Sequence, residues 1–167
     1  MATHNDDLPL LLELHKDKLA ARQRHVAVAK LVSDYEFNNA YQYLINREDT
    51  HLQWLEAAIA KLGGTPSTPA DVTVTAASSE KKNPNGKFLP LVSEDSKAAG
   101  DLVAKWRAKS ASIVSDRDRK LAGVILGETL EQKRFFDQML SGQDDLLGRR
   151  MKGASTGDGV MATRWIE

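Results

Sequence analysis

Apolar side chains recur at helical spacing through two long blocks of the chain. Residues 10–62 contain neither glycine nor proline, and a second helical block runs from about Leu91 to Leu140. Ser33-Asp34 and Ser115-Asp116 are typical helix N-caps, so each block is expected to fold back once. Ser93-Glu94-Asp95 is a further candidate cap, at the start of the second block. The pattern therefore predicts four helices of roughly 22–27 residues each.

The segments between and after these two blocks are predicted to be irregular instead of helical. Residues 63–90 are rich in glycine, proline and polar side chains and are predicted to form one long connection, with Val72–Thr75 as the only strand-like alternation. Short, long and short connections match an all-α, up-down four-helix bundle with one long crossover between helices 2 and 3. The predicted domain is 1–141, and the glycine-containing residues 142–167 are expected to form an irregular tail.

Ionisable residues interrupt the apolar stripes of the second and fourth predicted helices. Glu48 and His51 lie in the stripe at positions 37, 41, 44, 48, 51, 55, 58 and 62, which is otherwise apolar. Glu128 and Glu131 interrupt the stripe at 121, 124, 128, 131, 135 and 139 with the same spacing. Burying such groups costs several kcal/mol unless a partner charge, a shared proton or a cation compensates them. Residues three apart share a helix face, so each pair could bind one metal ion.

Helices one and three offer one matching residue each. His15 interrupts the stripe of the first helix and Asp95 that of the third, and an offset of 80 residues relates His15 to Asp95 and Glu48 to Glu128. Glu13 and Glu94 are the fallback ligands on these two helices.

Each of these residues also has an interpretation without a metal. Glu48 and His51 could form a buried hydrogen-bonded pair, and Glu128 and Glu131 could face solvent beside Lys133 and Arg134. His15 could be a satisfied or exposed histidine, Asp95 could serve the dipole of its helix, and His25 is interpreted as a histidine at the core edge.

With these residues in view, the chain over roughly 8–141 resembles the ferritin-like superfamily, and within it the rubrerythrin-type and bacterial ferritin-like proteins. Glu48-Asp49-Thr50-His51 fits the Glu-x-x-His pattern of that family, and Glu128-Thr129-Leu130-Glu131 fits with Glu in place of His. The resemblance implies a dinuclear iron or manganese centre between the helices. Its ligands would be two bridging carboxylates and four further residues, namely Glu48 and Glu128 with His15, His51, Asp95 and Glu131.

The resemblance implies a protein that oxidises Fe(II) with oxygen or peroxide, for iron storage or protection from oxidative stress. The alternative is a metal-free helical bundle that acts as an interaction or structural module, with polar core residues satisfied by one another. A third hypothesis is an oxidase or hydroxylase acting on a small organic substrate. The chain has no cysteine, so a cysteine-held electron-delivery module is excluded within it.

Charge and composition limit the classes of partner that the chain is expected to bind. Lys and Arg number 23, equal to Asp and Glu, so the chain has no overall basic charge for nucleic acid or an anionic membrane. No apolar run approaches the ~20 residues of a membrane span, and the polar first residues do not look like a signal peptide. The expectation is a cytoplasmic homo-oligomer, a dimer or larger, whose partners are metal ions and oxygen or peroxide.

Overall fold

The computed structural model describes residues 7–75, 86–143 and 145–147, and every regular element in these ranges is an α-helix. Helix α1 spans Leu8–Ala29, α2 Tyr35–Lys61, α3 Leu89–Ser110 and α4 Asp116–Leu140. Their lengths of 22, 27, 22 and 25 residues confirm the predicted range. Val72–Thr75 does not form a strand. Of the predicted long connection, residues 76–85 lie outside the described ranges, as do nearly all residues of the predicted tail.

The starts of α2 and α4 confirm the two caps that the sequence predicts. The Asp34 carboxylate accepts a hydrogen bond from the backbone N–H of Phe37 at 2.9 Å. The Ser115 hydroxyl accepts one from the backbone N–H of Asp118 at 3.3 Å. Each cap satisfies an N–H that the first turn of a helix leaves without a partner.

The start of α3 corrects the sequence prediction. The helix begins at Leu89, so Ser93, Glu94 and Asp95 lie inside its first two turns and do not cap it. Pro90 occupies the first turn, where its fixed φ suits a helix and its missing N–H would have had no partner in any case. Pro90 is therefore part of the helix, whereas the sequence predicted that it would lie in the preceding connection.

Two apolar clusters fill the bundle, one toward each end. One combines the last turns of α1 and α4 with the first turns of α2 and α3, and its fully buried members include Val28, Tyr41, Phe88 and Phe136. The other combines the opposite ends of the same helices and includes Leu11, Leu55, Trp106 and Ile125. Between the two clusters lies a layer of buried polar side chains, comprising Lys18, Glu48, His51, Thr129 and Gln132.

The predicted faces hold for α2 and α3 and hold only in part for α4. The stripe of α2 is buried from Phe37 to Ala58, and that of α3 is buried at Val92, Asp95, Ala99 and Trp106. On α4, Phe135 and Met139 are buried as predicted, but Val124 is half exposed and Ile125 beside it is fully buried. This orientation of α4 removes the side chains of Ile125, Leu126 and Phe136 from water, which stabilises the folded bundle.

Candidate functional site

Lys18 lies at the centre of the polar layer, and its side chain has no exposed surface. Its ammonium group donates toward Glu48 Oε1 at 3.2 Å, Thr129 Oγ1 at 3.5 Å and Gln132 Oε1 at 3.5 Å. The three contacts come from α2 and α4, so a cation carried by α1 bridges both hairpins. The contact with Glu48 is longer than the ~2.8 Å usual for an ammonium hydrogen bond to a carboxylate, and the other two are longer still. The ammonium is therefore surrounded by acceptors without being tightly bound by any one of them.

Glu48 is fully buried between Lys18 and His25. Its second oxygen accepts a hydrogen bond from His25 Nδ1 at 2.9 Å. Burial alone would raise the pKa of Glu48, but His25 and Lys18 outweigh burial and lower it to about 2. Glu48 is therefore an ionised carboxylate inside the core, with both oxygens hydrogen-bonded by donors on α1.

His51 and Glu128 form a second polar group that faces the opposite side of the bundle. His51 is buried, and its pKa lies below the ordinary value because of its burial and the nearby Lys18 ammonium, against the opposing effect of Glu128. The neutral ring donates from Nε2 to Glu128 Oε2 at 2.7 Å. Arg47 donates to both oxygens of Glu128, at 2.5 Å from Nη2 and 3.0 Å from Nε. Against burial, these donors lower the pKa of Glu128.

Asp95 lies on α3 and joins the two hairpins. It accepts a 2.6 Å hydrogen bond from the Tyr41 hydroxyl of α2 and a 2.5 Å bond from Arg24 Nε of α1. Burial and the Asp95 charge raise the pKa of the Tyr41 hydroxyl, which therefore acts as a donor. Asp95 is buried as the sequence predicts, and its partners are side chains of the protein.

Three of the other predicted or fallback ligands lie toward the surface. Glu131 has a side chain that is 63% exposed and pairs with Arg134, so the expectation that it faces the bundle interior is wrong. Glu13 pairs with Lys105 and Lys109, and Glu94 pairs with Arg24.

His15 is buried, in agreement with its place in the predicted stripe. Its Nε2 lies 3.4 Å from Glu56 Oε1, and its Nδ1 has no hydrogen-bond partner among the described residues. The six predicted ligands thus divide among five separate neighbourhoods, and only His51 and Glu128 contact each other. Across the ranges that the structure describes, no three His, Asp or Glu side chains converge in a way that could hold a metal ion.

Sequence reasoning missed Lys18, Thr129 and Gln132, although two signals pointed to them. Leu11, Lys18, His25 and Val32 follow one another at intervals of seven residues, which is the repeat of a core-facing helix position. Thr129 and Gln132 are three residues apart, as Glu128 and Glu131 are, and lie one position further along the same helix. Both are buried, so they form the interior pair of α4.

A cavity of about 380 Å³ opens between α1 and α3 and reaches this polar layer. Its walls include small apolar side chains from the two helices, and Lys18, Glu48, Thr129 and Gln132 line its inner part. Gln132 Nε2 is buried there and has no hydrogen-bond partner within the described part of the chain. On the far side of the bundle, Gln132 also lines a smaller hollow beside Arg47 and Glu128.

No protein-family model, no curated protein and no solved structure matches this chain. Among the helices described above, none carries an apolar stretch long enough to cross a bilayer. The polar layer and the cavity beside it are therefore the features from which a function can be proposed.

Proposed function

We propose that this chain is a ferritin-like helical bundle that works without a metal centre, as a binding module whose buried charges are compensated by its own side chains. The observation that carries the proposal is the Lys18 ammonium group, fully buried beside Glu48 and between the helices. In a dinuclear protein, metal ions at such a position compensate the buried carboxylates. Here a lysine side chain supplies the compensating positive charge.

The arrangement of the apolar clusters supports the ferritin-like part of the proposal. The start of α1 shares a cluster with the ends of α2 and α3 and with the start of α4. Helices α2 and α3 then run in the same direction, and α1 and α4 run in the opposite direction. Parallel second and third helices support the proposed long crossover, which ferritin-like bundles have and simple up-down bundles lack.

The interior donor set does not fit a dinuclear iron or manganese centre. Such a centre takes a carboxylate from each of two helices and a Glu-x-x-His pair from each of the other two. Glu48 and His51 match one such pair, but the interior pair of α4 is Thr129 and Gln132, and α1 presents Lys18. A protonated lysine has no lone pair for a metal, and its charge repels a cation.

The proposal is tested first by metal analysis. Protein purified without chelators and incubated with Fe(II) should contain no iron, manganese or zinc above background. Its melting temperature should be the same with and without a chelator, because only a bound metal would add stability by mass action. About two irons per chain would overturn the proposal and favour the iron-oxidising function that the family resemblance implies.

A second test measures the role of Lys18 directly. Lys18→Met should lower the free energy of unfolding by about 3–5 kcal/mol, because Glu48 would lose its buried cation. Adding Glu48→Gln to that variant should recover much of the loss, since no unpaired charge remains. Lys97→Met is the control, because Lys97 is in an exposed pair that contributes at most about 1 kcal/mol. A loss no larger than that of the control would contradict the proposed role.

A further inference from the structure

We infer that the cavity between α1 and α3 binds a small uncharged molecule that has an apolar body and one oxygen atom able to accept hydrogen bonds. The inference rests on the proposed function, since a metal centre at Lys18 would change the inner end of the cavity. It assigns to the module a class of ligand that the sequence alone does not indicate.

The cavity is kept open by polar bridges on either side of it. Toward one end, Arg24 of α1 binds Asp95 and Glu94 of α3 at 2.5 and 2.8 Å. Toward the other end, Asp17 of α1 accepts hydrogen bonds from Trp106 Nε1 at 2.7 Å and Lys105 Nζ at 2.6 Å. The side chains between these bridges are too small to fill the space between the two helices.

The walls set the apolar character of the ligand. Ala20 and Ala21 of α1 face the cavity together with Ala98, Ala99 and Leu102 of α3. Such side chains offer no hydrogen bonds, so they favour a hydrocarbon surface. The volume of about 380 Å³ lies within the range of about 300–1,000 Å³ that small-molecule sites occupy.

The inner end of the cavity sets the position of the oxygen. Gln132 Nε2 is a buried donor without a partner in the described chain, whereas the Lys18 ammonium already has three acceptors. A buried donor that lacks a partner costs free energy, which an incoming acceptor recovers. Gln132 lines the cavity, so a single carbonyl or hydroxyl oxygen that accepts from its amide is the complementary group.

The charges of the lining favour an uncharged ligand. Lys18, Arg24 and Lys105 are opposed by the carboxylates of Asp17, Glu48, Asp95 and Asp101, so the cavity has no surplus positive charge. A carboxylate or phosphate group would therefore lose its hydration without gaining a free cation. Lys18 and Arg24 are already paired with Glu48 and Asp95.

The binding experiment uses ¹⁹F NMR titration with 4-fluorobenzyl alcohol, and 4-fluorotoluene is the matched probe without the oxygen. We expect saturable binding of the alcohol, and binding of the toluene about fivefold weaker, as the loss of one hydrogen bond implies. Equal affinities, or no saturable binding of the alcohol to metal-free protein, would overturn the inference. Iron above background in the metal analysis would instead overturn the proposed function.

Two variants locate the site. Ala99→Leu fills the cavity and should weaken alcohol binding at least tenfold, which corresponds to about 1.4 kcal/mol. Ala104→Leu is the control, because this position is exposed on the same helix, and it should leave binding unchanged. Gln132→Met keeps an unbranched side chain without the amide donor, and should bring the affinities of the two probes closer together. Unaltered binding in Ala99→Leu would place the ligand elsewhere and contradict the inference.

Discussion

Glu48 and His51 illustrate how burial and charge act on single residues. Both interrupt an apolar stripe in the sequence, and that interruption was sufficient to predict that they are buried. Lys18 was not predicted, because lysine is rarely fully buried and an isolated lysine in a helix is ordinarily a surface residue. Its place in the core depends on Glu48 and Gln132, which lie 30 and 114 residues away along the chain.

The lowered pKa values of His51 and Glu48 predict that the free energy of unfolding decreases as the pH falls. The folded protein resists protonation of His51, whose ordinary pKa is 6.5, while the unfolded chain accepts the proton. Stability should therefore decline as the pH falls below about 6.5. Glu48 adds a second decline, because its contribution is complete above its ordinary pKa of 4.5 and is lost as the pH falls toward about 2.

This prediction is checked by urea unfolding between pH 7.5 and 5.5. We expect the midpoint to fall with pH in the unaltered protein, and to fall less steeply in His51→Gln, which can still donate to Glu128 but does not titrate. An identical slope in both proteins would show that His51 is not responsible.

At the scale of the elements, the caps of α2 and α4 could be predicted from a few neighbouring residues, whereas the face of α4 could not. Asp34 and Ser115 are local signals, because a cap binds an N–H only three residues away. The face of α4 depends instead on which side chains the other three helices leave room for. Glu128 and Val124 made a plausible stripe in isolation, but Ile125 and Phe136 take the interior positions.

The cap of α2 gives a prediction at this scale. Asp34→Ala should lower the free energy of unfolding by about 1 kcal/mol, because the N–H of Phe37 loses its acceptor. Asp34→Asn should be nearly neutral, since asparagine is an equally good N-cap. Chemical denaturation measures both changes, and equal losses in the two variants would argue against capping as the cause.

At the scale of the whole molecule, the bundle consists of two helical hairpins held together by buried polar side chains as well as by apolar packing. Four helices and their lengths followed from the spacing of apolar residues. The pairing across the bundle did not, because Lys18 with Thr129 and Tyr41 with Asp95 are contacts between distant residues of opposite hairpins. Sequence periodicity indicates which face is buried and carries no information about which partner it meets.

The hydrogen bond between Tyr41 and Asp95 offers a test of how the two hairpins are held together. Tyr41→Phe should lower the free energy of unfolding by about 1.5–3 kcal/mol, because a hydrogen bond to a buried carboxylate is lost. Tyr43→Phe, on the same helix with a ring that is 45% exposed, is the control and should change stability by less than about 0.5 kcal/mol. Similar losses in the two variants would contradict the role given to this bond.

Asp7, just before α1, has a consequence for the order in which the chain can fold during synthesis. Its carboxylate accepts hydrogen bonds from the backbone N–H groups of Val114 and Ser115, at 2.7 and 2.8 Å, in the turn between α3 and α4. These partners lie 107 and 108 residues further along the chain. A ribosome makes Asp7 early, but the amides it binds emerge only after three of the four helices. Asp7 therefore completes one of the last turns to be made. Closing the long loop between Asp7 and that turn carries an entropic cost, which the early hairpin of α1 and α2 avoids because its contacts are closer in sequence.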